Sequence, residues 1–261
     1  MDRMKKEIKV LVTAGDTYEA IDDVRKITHM ATGRLGCLIA DEFINKNAAV
    51  TFICGERSLR PEHEMENTII IQGVKSLEDA VIEQISKTQF DSVVHTMAVS
   101  DYTIRGLTTE DDIANGIYAG IMDLKADINP EQVKNMIRQI IMSATKTTEG
   151  KISSEHASLI IAMDNAPKVI SHIKQIQKNT VLVGFKLLSG VKEHELIQAA
   201  QYQIHSNRCD FVLANDLSGI NGDIHRGILL DMNGILDRLT TKQEIAQSIV
   251  SHVIKKIRRH G

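Results

Sequence analysis

Residues 10–38, which read VLVTAGDTYEAIDDVRKITHMATGRLGCL, contain the transition that decides the fold. The apolar run Val10-Leu11-Val12 is typical of a strand that is buried on both faces. It ends at Ala14-Gly15, where small residues allow a sharp turn and let a ligand approach the backbone. After a polar loop, Thr32-Gly33 begin a helix. The stretch therefore predicts a strand, a turn and a helix of an α/β fold.

The predicted helix has one apolar face and a set of small residues within it. Leu35, Ile39 and Phe43 are spaced four apart, so they lie on one face of the helix. Gly36 and Ala40 leave room for that face to approach the sheet closely. We therefore expect the helix to pack directly on the sheet.

The start of this helix is also a candidate anion site. The backbone N–H groups from Thr32 to Arg34 have no carbonyl partner inside the helix, and phosphate is the ligand that fits them best. An ordinary capped helix start would show the same pattern, so both interpretations stay open. No G-x-G-x-x-G motif joins the strand to the helix, which argues against a dinucleotide site.

Composition places the chain among globular proteins. Of its 261 residues, 43% are hydrophobic and 25% charged, which is enough apolar surface for a full core. A net charge of −3 gives no electrostatic reason to expect nucleic acid or an anionic membrane as a partner. Cys37, Cys54 and Cys209 are too isolated for a metal site or a disulfide framework. Without a signal peptide or a membrane-length apolar run, we expect a cytoplasmic protein.

The rest of the chain alternates predicted strands and helices. Asn233-Gly234 between two apolar runs predicts a hairpin, Pro167 is expected in the first turn of a helix, and Gly184 is expected to break a strand. The predicted strands are 48–53, 68–71, 91–97, 159–161, 180–188, 211–214, 227–231 and 235–236, and the predicted helices cover 77–85, 131–142, 169–173, 193–207 and the residues after Thr241. This order predicts a Rossmann-like, doubly wound, mostly parallel sheet with an edge hairpin. We expect one domain over residues 1–261, with an irregular insertion at about 106–150.

A carboxylate follows the predicted central strand. The strand at 91–97 ends in the stretch Ala98-Val99-Ser100-Asp101-Tyr102, which puts Asp101 at the end where open α/β sheets bind ligands. A helix or turn cap is the other interpretation of this residue, and the sequence does not separate the two.

Several stretches occur together in an order that resembles one enzyme family. They are VTAG at 12–15, EAID at 19–22, VR at 24–25, IT at 27–28, TGRLG at 32–36, MAVSDY at 97–102, KISS at 151–154, APK at 166–168, GFKLL at 184–188, AND at 214–216 and TKQE at 241–244. The chain resembles phosphopantothenoylcysteine synthetase, also called phosphopantothenate–cysteine ligase, in its stand-alone bacterial form. The weakest part of the resemblance is the insertion at 106–150.

The resemblance implies a ligase of coenzyme A biosynthesis. Bacterial members of the family join 4′-phosphopantothenate to cysteine, using CTP as cosubstrate. The carboxylate attacks the α-phosphate to give an acyl-cytidylate and pyrophosphate, and the cysteine amine then displaces CMP. The resemblance also implies Mg²⁺ with the triphosphate, although no carboxylate cluster identifies its ligands, and a homodimer.

The resemblance assigns roles to four candidate catalytic residues. Lys151 would stabilise the triphosphate, Arg25 and His29 would face phosphopantothenate and the acyl intermediate, and Asn215 would bind ligand or hold its loop. The nucleotide would be bound by Gly15, Thr32, Gly33, Met97, Ala98, Asp101, Pro167, Lys168, Phe185 and Lys186. A solvated loop lysine, a core phenylalanine and a simple turn remain the other interpretations of Lys151, Phe185 and Asn215.

The chain departs from the family pattern at three places. Asp16 stands where the family usually has a glycine, and His29 stands where it has an asparagine. Gln203 and Asn207 occupy a helix where the family often has lysines, a loss that Lys186 would offset. A family member that binds a nucleotide or a coenzyme A precursor without catalysis is therefore an alternative. A nicotinamide-dependent oxidoreductase is a further one, against which the missing glycine motif counts.

Overall fold

The computed structural model describes residues 7–124, 129–146, 152 and 158–260. The chain forms two compact units, which we call the sheet unit (Met1–Thr17, His29–Val99 and Pro167–Gly261) and the small unit (Tyr18–Thr28 and Ser100–Ala166). In chain order the elements are β1 Ile8–Ala14, β2 Tyr18–Ala20, β3 Lys26–Thr28, α1 Arg34–Asn45, β4 Ala48–Gly55, β5 Asn67–Ile71, α2 Val74–Lys87, β6 Ser92–His95, β7 Tyr102–Thr108, α3 Glu110–Met122, α4 Pro130–Ala144, β8 Ile160–Asn165, α5 Val169–Ile176, β9 Val181–Leu188, α6 Glu193–Asn207, β10 Phe211–Asn221, β11 Ile224–Asp231, β12 Gly234–Thr241 and α7 Lys242–His260. The prediction that residues 1–261 form one ligase-like domain stays a prediction.

The sheet unit contains an eight-stranded sheet in the order β12-β11-β10-β9-β6-β1-β4-β5. The strands from β10 to β5 are parallel, and β11 and β12 join them antiparallel as a hairpin at one edge. The predicted Rossmann-like, doubly wound sheet with an edge hairpin is therefore confirmed. Strand order reverses at β1, which lies between β6 and β4, so the carboxyl ends of β1 and β6 flank the topological switch point.

Helix α1 packs on β1 as the sequence predicts. Ile39 and Phe43 are fully buried, and burying one such side chain stabilises the fold by about 2–3 kcal/mol. A Cβ atom on Gly36 would lie 2.4 Å from Ala14 Cβ and 2.8 Å from Thr96 Oγ1. Because no larger residue fits at this position, Gly36 sets the close approach of the helix to the sheet.

The predicted start of the last helix is confirmed by its hydrogen bonds. Glu244 N donates to Thr241 Oγ1 at 3.2 Å, and Thr241 N donates to Glu244 Oε2 at 3.3 Å. This reciprocal pair is a capping box, which satisfies two backbone donors that a helix start leaves without partners.

Two predictions about the second half of the sheet unit are wrong. β9 runs unbroken through Gly184, where a Cβ atom would lie 2.8 Å from Gln203 Nε2 and 3.1 Å from Cys209 Sγ, so this glycine makes room for neighbouring side chains instead of ending the strand. Pro167 precedes the N-cap residue Lys168 and so lies before the first turn of α5.

The small unit contains two antiparallel strand pairs, β2–β3 and β7–β8, and the helices α3 and α4. The polar loop predicted before Thr32 thus contains a short hairpin, and the insertion predicted as irregular contains two helices, of which only the second was expected. The strand predicted at 159–161 pairs with β7 and not with the main sheet, since Ile161 lies opposite Leu107. These three predictions are corrected by the structure.

The cysteines and the membrane prediction can also be compared with the structure. Cys37, Cys54 and Cys209 are free cysteines, and all three are buried. In the part of the chain that the structure describes, none of the helices has both the length and the apolar character needed to cross a membrane.

Candidate functional site

The candidate site of the sheet unit lies where β1 and β6 end, at the topological switch point. The two loops that leave these strands are tied together, because Ala98 N donates to Gly15 O at 2.8 Å and Thr17 N donates to Ala98 O at 3.1 Å. Asp16 lies between them and forms an isolated bridge with Ala98. Since open α/β sheets bind ligands at this point, these loops are the first place to seek a ligand.

Two glycines with left-handed backbones bring three chain segments together here. Gly15 has φ +88° and Gly33 has φ +79°, a region that other residues rarely adopt. A Cβ atom on Gly33 would lie 3.0 Å from Gly15 N, and one on Gly15 would lie 1.7 Å from Ser58 Oγ. The turn after β1, the start of α1 and the loop after β4 therefore meet at distances that only glycine permits.

The start of α1 has the geometry of an anion site. Its N-cap is Gly33, which offers no side chain to the backbone donors of the first turn. Arg34 N makes only a long contact of 3.4 Å with Thr32 Oγ1, and the helical ladder begins where Cys37 N donates to Gly33 O at 3.0 Å. The N–H groups of Leu35 and Gly36 thus precede the ladder, and the positive end of a 12-residue helix favours a negative charge beside them.

A buried histidine closes the end of β6. His95 Nδ1 lies 2.9 Å from Thr13 Oγ1 on the neighbouring strand, and Met97 N donates to the same hydroxyl at 3.4 Å. Burial disfavours the charged imidazolium and lowers the pKa of His95 to about 4. His95 is therefore neutral at pH 7, and it helps to position the loop that contains Met97 and Ala98. Sequence reasoning missed this residue because its hydrogen-bond partner Thr13 is 82 positions away in the chain.

We expect His95 to make the stability of the protein depend on pH. The unfolded chain binds a proton at a pKa of about 6.5, whereas the folded value is about 4, so the unfolded state holds more protons between these limits. The contribution of His95 to the free energy of unfolding should then be fully present above about pH 6.5, and about 3 kcal/mol of it should be lost as the pH drops to 4. Urea unfolding of wild type and His95→Gln between pH 4 and 7.5 would measure this.

A second buried histidine, His225, contributes to the same pH dependence and has to be tested beside His95. Burial and the Lys242 cation lower the pKa of His225 to about 4 as well, so the two histidines should contribute to one pH dependence. Each single variant, His95→Gln or His225→Gln, should flatten part of the slope, and the double variant should flatten most of it. A slope that is unchanged in His95→Gln would contradict the assignment.

The ends of β9 and β10 place three predicted residues on two faces of the sheet. Phe185 lies beside Leu213, and Asn215 is two positions further along β10, so both lie on the face covered by α1 and α7. Asn215 is buried, and Phe185 is half-buried against the core. Lys186 lies on the opposite face, the one on which Gln203 of α6 contacts Gly184. The prediction that Lys186 offsets the lysines missing from α6 stays a prediction.

The small unit holds Arg25 in an extended hydrogen-bond network. Asp22 Oδ2 accepts Arg25 Nε at 3.0 Å and Arg25 Nη2 at 2.6 Å, and Asp22 Oδ1 accepts the backbone N–H of Val24 and of Arg25. The hydrogen bonds from the Arg25 guanidinium, opposed by burial and aided by the backbone donors, hold the pKa of Asp22 well below its ordinary range. Asp22 is a residue that sequence reasoning did not select, although its spacing from Arg25 suits an Asx turn.

The structure also describes four of the remaining predicted residues. His29 is exposed and directly follows β3, Pro167 and Lys168 are exposed where α5 begins, and Asp101 is exposed in the small unit, where its carbonyl accepts Ala166 N at 2.9 Å. Lys151 lies outside the described residues. The sheet unit thus gathers Gly15, Thr32, Gly33, Met97, Ala98, Phe185 and Asn215 at the carboxyl ends of its strands and at the start of α1. Their roles in binding stay predictions.

The described residues do not form a metal site of their own. Across 7–124, 129–146, 152 and 158–260, no group of three or more His, Cys, Asp or Glu side chains could hold a metal ion. Mg²⁺ as a cofactor stays a prediction.

Comparisons with known proteins give consistent results. A family model described as "DNA/pantothenate metabolism flavoprotein C-terminal domain" matches residues 5–129 and 142–257. The chain is 30% identical over 251 residues to the coenzyme A biosynthesis bifunctional protein CoaBC of Thermococcus kodakarensis, which covers 95% of this chain and 51% of that protein. The chain thus spans about half the length of the curated relatives it matches.

Solved structures share the fold. The structure of the DNA/pantothenate metabolism flavoprotein from Streptococcus pneumoniae is 31% identical, with a TM-score of 0.77, and the match covers 97% of this chain and all of that one. A Cab2 mutant in complex with phosphopantothenate-cysteine matches 97% of this chain and 87% of its own, with a TM-score of 0.66. At 17% identity the second match shows a common fold and no more.

Proposed function

Because the chain belongs to the family of the DNA/pantothenate metabolism flavoprotein C-terminal domain, we propose that it is a phosphopantothenate–cysteine ligase of coenzyme A biosynthesis. The observation that carries the proposal is the family match over nearly the whole chain, in a fold whose helix α1 begins beside the turn after β1, at the topological switch point. The buried thiols agree with the reducing cytoplasm as the location that we propose.

The proposed reaction has two steps. The carboxylate of 4′-phosphopantothenate attacks the α-phosphate of CTP, which forms an acyl-cytidylate and releases pyrophosphate. The amine of cysteine then attacks the acyl carbon and releases CMP. Neither step needs a covalent nucleophile from the protein, so the residues of the chain act by positioning and by stabilising negative charge.

The residues of the chain have separate tasks in this proposal. The N–H groups at the start of α1 bind phosphate oxygens, and the left-handed turns at Gly15 and Gly33 let the phosphates approach the backbone. Phe185 and Met97 offer apolar surface to the nucleotide. Asn215 offers an amide near the point where β10 runs beside β9, the strand of Phe185. Arg25 and Lys151 supply positive charge for the anionic substrates. CTP as the nucleotide, and magnesium bound with it, are part of the proposal.

Pyrophosphate release tests this function directly. The purified protein with phosphopantothenate, magnesium chloride and CTP should release pyrophosphate, and added cysteine should release CMP in equal amount. ATP in place of CTP gives the nucleotide preference. A protein that is stabilised thermally by CTP but releases no pyrophosphate with either nucleotide would be a binding member without catalysis. Stabilisation by NAD alone would favour the oxidoreductase alternative.

We also propose that the protein is a homodimer that pairs through its small unit. Every residue of α3 and α4 is at least partly exposed, although both helices carry large apolar side chains. The most exposed of these are Tyr118, Ile121, Met122 and Met142. A second copy of the chain would cover such a face through matching patches.

Light scattering at micromolar concentration should give the mass of a dimer. Ile121→Glu, which places a charge on the apolar face, should shift the protein towards the monomer because the charge would lose water on association. Lys134→Glu, at an exposed polar position of α4, is the matched control and should leave the dimer intact. A monomeric wild type would contradict this proposal.

A further inference from the structure

We propose that Asp22 is a positioning residue, which orients Arg25 for an anionic substrate and ties it to the backbone of Ile152. The inference rests on the proposed ligase function, because the anionic substrate is taken to be phosphopantothenate, a phosphate monoester with a carboxylate. We refer to Asp22, Arg25 and Ile152 together as the clamp. All three residues lie in the small unit.

Asp22 and Arg25 bind both backbone polar groups of Ile152. Ile152 N donates to Asp22 Oδ2 at 3.2 Å, and Ile152 O accepts Arg25 Nη2 at 3.2 Å. Asp22 and Ile152 are 130 positions apart in the chain, so local turn geometry cannot explain these contacts. Ile152 is also buried, at 9% exposure. The clamp therefore fixes the backbone of Ile152 relative to Arg25.

The carboxylate of Asp22 does more than cap a turn. An Asx turn needs one oxygen, and Oδ1 meets that need by accepting Val24 N at 2.9 Å and Arg25 N at 2.6 Å. Oδ2 accepts the two guanidinium donors and Ile152 N in addition. The Asp22 side chain is fully buried, and a buried carboxylate is stable only when its oxygens are paired in this way.

The geometry leaves one edge of Arg25 for a ligand. The Nε and Nη2 donors face Asp22, while the contacts of Arg25 within the described residues do not use Nη1. The Arg25 side chain is 46% exposed, so solvent and ligand can reach it. A guanidinium held along one edge presents its other donors in a fixed direction, which suits a phosphate or a carboxylate.

The test compares Asp22→Asn with Asp23→Asn, a matched change at the exposed aspartate next to it. An asparagine cannot accept at both positions, since its NH2 group would meet the guanidinium donors. We expect Asp22→Asn to raise the KM for phosphopantothenate by about 10- to 100-fold, the range of a lost hydrogen bond to a charged group, and to leave the KM for CTP within about twofold of wild type. Asp23→Asn should match wild type for both substrates. Arg25→Lys, which keeps the charge but lacks the paired donors, should behave like Asp22→Asn.

Binding and amide exchange keep the inference decidable. Calorimetry should show the same weakening for phosphopantothenate without turnover, and the Ile152 amide should lose protection from hydrogen exchange in Asp22→Asn but not in Asp23→Asn. An unchanged KM, an equal rise for both substrates, or a protected Ile152 amide in Asp22→Asn would overturn the inference. A wild type that neither binds phosphopantothenate nor releases pyrophosphate would refute the proposed function, and the exchange result would still decide whether the clamp exists.

Discussion

Replacing Lys151 with alanine should lower the rate of acyl-nucleotide formation by about 100- to 1,000-fold, the range found when one charge-stabilising donor is removed from an active site. The resemblance assigns Lys151 to the triphosphate, whose negative charge grows at the leaving pyrophosphate. The sequence predicts a polar loop at Lys151, and a loop residue contributes little to folding, so the melting temperature should change by less than about 2 °C. Single-turnover release of pyrophosphate measures the step itself, separate from the release of product.

Two further variants sharpen the Lys151 experiment. Lys151→Arg keeps the charge and should retain part of the rate, although its geometry differs. Lys178→Ala changes an exposed lysine in the turn between α5 and β9 and should match wild type. Wild-type turnover in Lys151→Ala would remove this residue from the mechanism.

Replacing His29 with alanine should cost most of the ligation rate, about 10- to 100-fold, if the imidazole donates a hydrogen bond to the acyl intermediate. His29→Asn should keep the activity, because the amide can donate this hydrogen bond as well, whereas the methyl group of alanine cannot. Steady-state ligation rates of the three proteins measure the effect.

The exposed position of His29, directly after β3, lets a ligand reach the ring. His194→Asn changes an exposed histidine in the first turn of α6 and serves as the matched control. If His29→Ala and His29→Asn both ligate at the wild-type rate, the acyl group is held by other residues.

The parts of the fold that the sequence predicted correctly depend on local signals. The apolar run at β1, the Asn233-Gly234 hairpin and the capping box at Thr241 each lie within a few residues, and short-range sterics and hydrogen bonds decide them. Helix α6 was predicted with its observed bounds for the same reason. The turn at Gly15 was also predictable, because small residues directly after a buried strand allow a sharp turn.

The parts that were missed depend on partners far away in the chain. Nothing near Ile161 indicates that its strand pairs with β7 instead of the main sheet. Gly184 does not interrupt β9. Its lack of a side chain makes room for Gln203 of α6 and for Cys209, which lie about 20 to 25 positions later in the chain. Asp22 was passed over as one polar residue among several, since the peptide group that it binds is 130 positions later. Helix α3 was also missed, although it has a local signal. Thr109 is its N-cap residue, and Thr109 Oγ1 accepts Asp112 N at 3.1 Å.

The position of β6 in the sheet has a consequence for the chain as it leaves the ribosome. β6 can pair with β1 as soon as both have been made, but its other edge pairs with β9, and Ser92 bonds to Val181 across 89 positions. At synthesis rates of about 5–20 residues per second, the second partner follows roughly 5 to 20 seconds later. During that interval the nascent protein presents an apolar strand with one unpaired edge, the kind of surface that chaperones bind and that aggregates recruit.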